Sequence, residues 1–145
     1  YSGLPTAKRS GYAFLGWYTK KSGGDLITKS DTVSKAKKMT LYAHWGKLKT
    51  KKATISSLKS TKSGKLTVKI KKISYANGYQ IRYALKSSMK SAKKVKTYNT
   101  ATSKTISNLK SGKKYYVQVR MYQKNSVTGK VTYGAWSKTK KIKIK

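Results

Sequence analysis

Apolar and polar residues alternate along most of the chain after residue 52. Leu66, Val68 and Ile70 are separated by threonine and lysine, a pattern that predicts a β-strand with one buried face. The same alternation recurs in three further segments: Tyr79, Ile81 and Tyr83; Tyr115, Val117, Val119 and Met121; and Ile142 and Ile144. Turn residues lie between them, at Asn77-Gly78, Ser111-Gly112 and Thr128-Gly129. Short strands at this spacing predict an all-β sandwich.

Helical periodicity is weak throughout the chain. The stretch from Ala84 to Lys96 is the best helix candidate, but it is rich in lysine and serine, and a helix would stack its like charges together. We therefore predict an irregular or edge-strand segment there.

The first 46 residues are dense in aromatic side chains. Tyr12, Phe14 and Trp17-Tyr18 predict one short strand, Gly23-Gly24 a turn, and Leu41 to Trp45 a second strand. A module of about 45 residues lies near the size below which a domain usually needs disulfides or metals. Because the chain begins at Tyr1, without Met or an apolar signal segment, we expect it to be a piece of a longer protein.

Charge is distributed unevenly along the chain. The chain has 36 Lys plus Arg and 2 Asp plus Glu, for a net charge of +34. Residues 1–46 hold eight basic residues and both aspartates, whereas residues 47–145 hold 28 basic residues and no acid. This asymmetry, and the lysines after Gly46, predict two modules, residues 1–46 and 52–145, joined by a linker at 47–51.

Composition excludes several classes of chemistry. The chain has no Cys, one imidazole, at His44, and two side-chain carboxylates, at Asp25 and Asp31. These residues cannot assemble a zinc site, an EF-hand-like calcium site, a disulfide framework or a thiol nucleophile. We therefore expect no metal and no cofactor. No apolar run reaches about 18 residues, so we expect no membrane insertion.

Catalytic motifs are also missing. His44 could join an aspartate and a serine in a hydrolytic triad, but no Gly-x-Ser-x-Gly motif is present. Lys113 or Lys114 could form an isopeptide bond with Asn108, but that chemistry needs a buried acid, which residues 47–145 lack. Gly23-Gly24 and Ser111-Gly112 are turns, not phosphate-binding loops. We predict that the chain is not an enzyme.

The first module resembles the internalin-type B repeat, also called the Listeria-Bacteroides repeat. The residues that carry the resemblance are Leu4-Pro5, Gly11-Tyr12, Phe14, Gly16-Trp17-Tyr18-Thr19, Gly23-Gly24, Asp31-Thr32 and Leu41-Tyr42-Ala43-His44-Trp45. The resemblance implies a small β-grasp-like module of bacterial surface proteins, with Trp17 and Trp45 in structural positions. The family's opening strand has no counterpart here, so the repeat is partial.

The second module resembles a bacterial fibronectin type III domain. The matching residues are Leu66-Thr67-Val68, Gly78-Tyr79-Gln80-Ile81, Leu109, Gly112, Tyr115-Tyr116-Val117 and Tyr133-Gly134-Ala135-Trp136-Ser137. By this resemblance Leu109, Gly112 and Tyr115 form the tyrosine-corner region and are structural. Ile70 occupies a position at which many members carry a buried Trp.

Together the two resemblances imply a fibronectin type III-like β-sandwich preceded by a truncated β-grasp-like repeat. They imply the C-terminal module pair of a secreted or cell-surface protein from a Gram-positive-type bacterium. Neither family is enzymatic; both serve as spacers, adhesive units or binding platforms, and the fold alone does not distinguish these roles.

The lysine excess indicates an affinity for polyanions. Lysine accounts for 33 of the 36 basic residues, and its ammonium attracts anions without the bidentate geometry of arginine. Three clusters are the predicted contacts: Lys93, Lys94 and Lys96; Lys110, Lys113 and Lys114; and Lys138, Lys140 and Lys141. Tyr122, Tyr133 and Trp136 flank a predicted hairpin at Asn125 to Lys130 and are the aromatic residues expected to be exposed.

Three functions remain open. The modules could act as a spacer or anchor that binds an anionic cell-wall polymer or host glycan. They could instead be an inert stalk that displays upstream domains of the same polypeptide, in which case lysines on the last strand protect its edge. A third function is non-specific nucleic-acid binding, since the pI is near 10.4 but no specific recognition motif is present.

Salt should stabilise the fold. With no acidic residue after residue 46, the lysines repel one another with little internal compensation. We expect the free energy of unfolding to rise as NaCl increases from about 10 mM to about 500 mM, because the screening length falls to a few ångströms. Urea denaturation at each salt concentration measures this, and a flat or falling profile would contradict it.

Overall fold

The structure is a computed structural model that describes residues 3–32 and 38–145. Within these residues it contains eleven β-strands and no helix, which confirms the predicted all-β class. The strands are β1 (Tyr12–Tyr18), β2 (Leu26–Ile27), β3 (Tyr42–Lys47), β4 (Ile55–Lys59), β5 (Leu66–Ile70), β6 (Gly78–Ala84), β7 (Lys93–Lys96), β8 (Ser103–Ile106), β9 (Lys114–Lys124), β10 (Val131–Tyr133) and β11 (Lys140–Lys143).

The chain divides into two compact units. The first comprises the residues up to Lys49 together with Lys124–Val131, and the second comprises Thr50–Gln123 and Thr132–Lys145. The hairpin turn in the first unit is closed by Asn125, whose Oδ1 accepts hydrogen bonds from the backbone N–H groups of Val127 and Thr128, at 2.8 and 3.0 Å.

The first unit contains a three-stranded antiparallel sheet with the order β2-β1-β3. The ring of Phe14 is its largest buried side chain, and it packs edge-on against Trp17 and Trp45 with ring centroids 5.6 Å apart in both pairs. Strand β3 runs past Gly46, because Lys47 pairs with Tyr12. Backbone pairing therefore continues into the segment predicted as the linker.

A β-bulge interrupts the regular pairing of strand β1 at Gly16. The register with β3 shifts between Phe14 and Gly16, and Gly16 has φ +125°. A Cβ placed on Gly16 would meet Cδ1 at the end of the Leu26 side chain. Glycine is therefore favoured at this bulge by the backbone conformation.

The second unit is a two-sheet sandwich. One sheet has the order β4-β5-β8, and the other has the order β10-β9-β6-β7, with β11 also paired to β9. The core lies between the two sheets and contains the alternating apolar residues that were predicted to be buried. Six of them are fully buried: Leu66, Val68, Ile81, Val117, Val119 and Met121. Ile70 also lies in this core, 4% exposed.

The segment from Ala84 to Lys96 ends in an edge strand, as predicted. Residues 86–92 form turns, in which Met89 N–H donates to the carbonyl of Lys86 and Ala92 N–H donates to that of Met89. Strand β7 then pairs with β6 at the edge of the larger sheet.

Removing a core side chain should cost several kcal/mol. Leu66→Ala leaves a cavity where a fully buried side chain packed, and such changes typically lower the free energy of unfolding by about 2–5 kcal/mol. Leu85→Ala is the matched control, because Leu85 is 45% exposed and surface changes usually stay within about 0.5 kcal/mol. Urea denaturation followed by tryptophan fluorescence measures both, and equal losses would contradict the assigned core.

Candidate functional site

The predicted lysine contacts all lie on the surface. All nine side chains are exposed: Lys93, Lys94, Lys96, Lys110, Lys113, Lys114, Lys138, Lys140 and Lys141. The first cluster is on β7, the second spans the turn before β9 and its first residue, and the third lies on β11 and just before it.

One sheet carries all three clusters. Strand β11 pairs with β9, so that Lys143, beside the third cluster, lies directly opposite Lys114 of the second. Strand β7 lies at the other edge, separated from β11 by β6 and β9. Strands are spaced by roughly 4.8 Å, which places the two edges about 14 Å apart. Along the sheet the second and third clusters are therefore adjacent, and the first lies at the opposite edge.

No carboxylate side chain of the second unit neutralises these lysines, since residues 47–145 contain no Asp or Glu. Asp31 lies in the first unit, where its Oδ2 accepts hydrogen bonds from the backbone N–H and the hydroxyl of Thr28. These two hydrogen bonds lower the pKa of Asp31 below its ordinary value. The lysine charge of the second unit must be balanced by solvent ions or by a bound polyanion.

The three predicted aromatic contacts are half-buried and lie against cations. The guanidinium carbons of Arg82 and Arg120 are each 4.3 Å from the centre of the Trp136 ring. Arg120 also lies 3.7 Å from the centre of the Tyr133 ring, which meets Tyr122 edge-on at 6.1 Å. We call this set of five residues the arginine–aromatic ladder.

Amide side chains hold the guanidinium groups in place. Arg120 donates from Nε and Nη2 to Oε1 of Gln80, at 2.9 and 2.7 Å, and Arg82 donates from Nε to Oε1 of Gln118, at 2.7 Å. Burial lowers the pKa of Arg120 from its ordinary value. Cations therefore already lie over the rings of Tyr133 and Trp136.

Sequence reasoning did not find this ladder. A signal was present, because Gln80 and Arg82 on β6, and Gln118 and Arg120 on β9, alternate with the core residues and so share the outer face of the sheet. Trp136 lies outside the strands, and nothing local in the sequence indicates that it contacts both arginines.

The residues predicted to be structural make local contacts. The Tyr115 hydroxyl accepts a hydrogen bond of 3.0 Å from the backbone N–H of Lys110, and Leu109 is 9% exposed. Gly112 has φ +74°, and its N–H donates to the carbonyl of Ile144. Trp17 donates from Nε1 to the carbonyl of Pro5, at 2.7 Å.

The lone histidine is in a structural environment. The His44 ring stacks on Tyr18 with centroids 3.9 Å apart, and its Nε2 donates to the carbonyl oxygen of Lys20, at 2.8 Å. Among the described residues no group of three or more His, Cys, Asp or Glu side chains could hold a metal ion. In the same part of the chain no helix is long and apolar enough to cross a membrane.

Members of two lysine clusters line a cavity of about 550 Å³. It lies between the β6–β7 connection and the β8–β9 connection, both in the second unit. Lys93 of the first cluster and Lys110 of the second line it, together with Lys86 and Lys90. The sequence did not predict this cavity.

Comparison with known proteins finds similarity to two types of module. Residues 1–44 match the model of the Listeria-Bacteroides repeat domain. The FN1–FN3 domains of chicken CNTN1 are 26% identical with a TM-score of 0.56, over 73% of this chain and 35% of that one. The human contactin 1 fn3 domain is 19% identical with a TM-score of 0.51, over 80% of this chain and 92% of that one. No curated protein matches the chain.

The chain thus spans about a third of the chicken protein fragment that it resembles. Its sandwich has the fold of fibronectin type III domains, as the sequence resemblance implied. The repeat is typical of surface or secreted bacterial proteins, and both are non-catalytic module types. These findings indicate a cell-surface or extracellular module.

We expect Arg120 to stabilise the folded state, although the protein carries a large positive charge. Arg120→Gln removes two cation–π contacts and two hydrogen bonds, and we expect the free energy of unfolding to fall by about 1–2 kcal/mol. Lys69→Gln, at an exposed position on β5, should be neutral or stabilising because it relieves repulsion. Urea denaturation separates the two signs; a neutral Arg120→Gln would show that the ladder contributes no stability.

Proposed function

We propose that this chain is a non-catalytic pair of modules from a secreted or cell-surface protein of a Gram-positive-type bacterium. The pair acts as a spacer and anchor with non-specific affinity for anionic polymers. The observation that carries the proposal is the charge of residues 47–145, where 28 basic residues occur with no acidic residue. Exposure of all nine predicted contact lysines supports it.

Lysine chemistry favours a non-selective partner. An ammonium group is a hydrated point charge, so a field of lysines attracts polyanions without fixing the geometry of each phosphate, sulfate or carboxylate. Binding is then driven by release of counterions from the polymer and weakens as salt rises. The proposed partner is an anionic cell-wall polymer, such as teichoic acid, or a sulfated or sialylated host glycan.

An inert stalk is the second candidate, and the position of the third lysine cluster favours it. Lys140, Lys141 and Lys143 are exposed on β11, where charged side chains can prevent pairing with a strand of another molecule. In that case the modules separate an upstream domain of the same polypeptide from the cell surface, and the lysines have no polymer to bind.

Binding to polymers across a salt series tests the proposal. The purified chain is titrated with teichoic acid, heparin and duplex DNA from about 50 to 200 mM salt, a range over which several phosphate contacts lose orders of magnitude in affinity. We expect steep salt dependence with all three polymers. Absence of binding at physiological salt would overturn the anchor and leave the stalk.

A cluster variant and a matched control locate the contact. Lys138→Gln/Lys140→Gln/Lys141→Gln should weaken polymer binding and reduce the log–log salt slope by roughly 2 to 3, close to one per lost contact. The control, Lys59→Gln/Lys65→Gln/Lys69→Gln, removes the same charge from exposed positions on or beside β4 and β5. Equal effects of the two triple variants would show that binding depends on net charge and not on this cluster.

A further inference from the structure

The cavity between the β6–β7 and β8–β9 connections combines an apolar floor with a cationic rim. Its volume of about 550 Å³ falls within the range of pockets that hold small molecules. The residues that line it are Tyr83, Ala84, Leu85, Lys86, Lys90, Ser91, Lys93, Ser107, Asn108, Leu109, Lys110 and Tyr115.

Two tyrosines and two leucines supply the apolar surface. Tyr83 and Tyr115 are 8% and 7% exposed, and their ring centroids lie 6.3 Å apart. Burial raises the pKa of Tyr83 above its ordinary value. Leu109 is buried, whereas Leu85 is 45% exposed and leaves an apolar side chain facing solvent at the cavity.

The rim carries four ammonium groups without a counter-charge from the same unit. Lys86, Lys90, Lys93 and Lys110 are all exposed, and residues 47–145 contain no Asp or Glu. Ammonium groups gathered around a partly enclosed space raise the local concentration of anions. A ligand that fits both parts of the cavity therefore has an anionic group and an apolar face.

The backbone beside the cavity is held in an unusual conformation. Among the described residues, four that are not glycine have positive φ, and three of them lie in these connections: Met89 at 60°, Ser91 at 58° and Asn108 at 59°. Glycine would adopt this left-handed conformation without the steric cost of a Cβ. Such conformations cluster at binding sites, where the surrounding structure holds side chains in required positions.

We propose that this cavity binds one saccharide ring that carries a sulfate or phosphate ester. The C–H face of the ring packs on Leu85 and the tyrosine floor, and the ester lies among the rim lysines. The inference deepens the proposed affinity for anionic polymers, and rests on it, by assigning one sugar unit of the polymer to a discrete site. Lysine lacks the bidentate geometry that would distinguish the two esters.

Small probes separate a discrete site from diffuse charge attraction. The whole chain is titrated with glucose 6-sulfate, glucose 6-phosphate, glucose and inorganic sulfate, and the backbone amide resonances of Ser91 and Asn108 are followed by NMR. We expect both esters to shift these resonances in a saturable manner. We also expect each ester to bind at least roughly tenfold more tightly than glucose or inorganic sulfate, since the ring and the anion contribute together.

Variants then assign the two parts of the site. Lys90→Gln/Lys110→Gln should lower affinity for both esters roughly tenfold, whereas Lys59→Gln/Lys69→Gln, with the same loss of charge at exposed positions of the β4–β5 pair, should change it by less than about twofold. Leu85→Ser should weaken binding of the esters and leave the weaker response to inorganic sulfate unchanged. Retained amide spectra confirm that each variant is folded.

Equal binding of esters and inorganic sulfate, or equal effects of the two double variants, would overturn the cavity site. In that outcome, salt-dependent binding of teichoic acid or heparin would still support the proposed function. Saturable binding of one ester alone supports the site and identifies whether sulfated or phosphorylated sugars are its natural source.

Discussion

Burial of apolar side chains must outweigh the mutual repulsion of lysines for this chain to fold. A net charge of +34 on 145 residues leaves little attraction between charged groups, and some cross-strand neighbours carry like charges, such as Lys94 opposite Arg82 and Lys143 opposite Lys114. Pairs of this kind are unfavourable. The second unit offsets them with a continuous core in which side chains from both sheets are fully buried.

The different positions of arginine and lysine also follow from the shortage of acidic residues. Each of the three arginines lies over an aromatic ring: Arg9 over Tyr12 at 4.0 Å, and Arg82 and Arg120 over Trp136. A guanidinium is weakly hydrated and planar, so it can be partly buried against a ring when neutral amides take its hydrogen bonds. Glutamine thus takes the place that a carboxylate often has beside arginine, and the outer face of the larger sheet is ordered without an acid.

Lysine side chains on the surface have two compatible roles. On β7 and β11 it charges strands whose backbone would otherwise be open to pairing with another chain. The same side chains remain exposed and unneutralised by carboxylates, which is what a contact with an anionic polymer needs. Around the β6–β7 and β8–β9 connections the lysines also line a partly enclosed apolar surface.

The sequence by itself determined the strands with clear alternation, their buried faces and the charge, whereas the short strands β2, β4, β8 and β10 were not predicted. Alternation is a local property, so the burial of Leu66, Val68, Val117 and Val119 could be predicted from the order of residues. Exposure of the lysine clusters could be predicted in the same way, because a charged side chain is seldom buried without a partner. The resemblances to the repeat and to fibronectin type III domains depended on motif spacing, which is also local.

Only the tertiary structure decided which of these local features meet. The pairing of β11 with β9, the contact of Trp136 with two arginines, and the cavity shared by Lys93 and Lys110 join residues that are distant in the sequence. Strand order within a sheet depends on non-local backbone pairing, and the paths of the connections depend on individual backbone conformations such as those of Met89 and Ser91. Strand order and connection paths leave no periodic signal in the sequence. They depend on which elements pack together and not on the residues within one element.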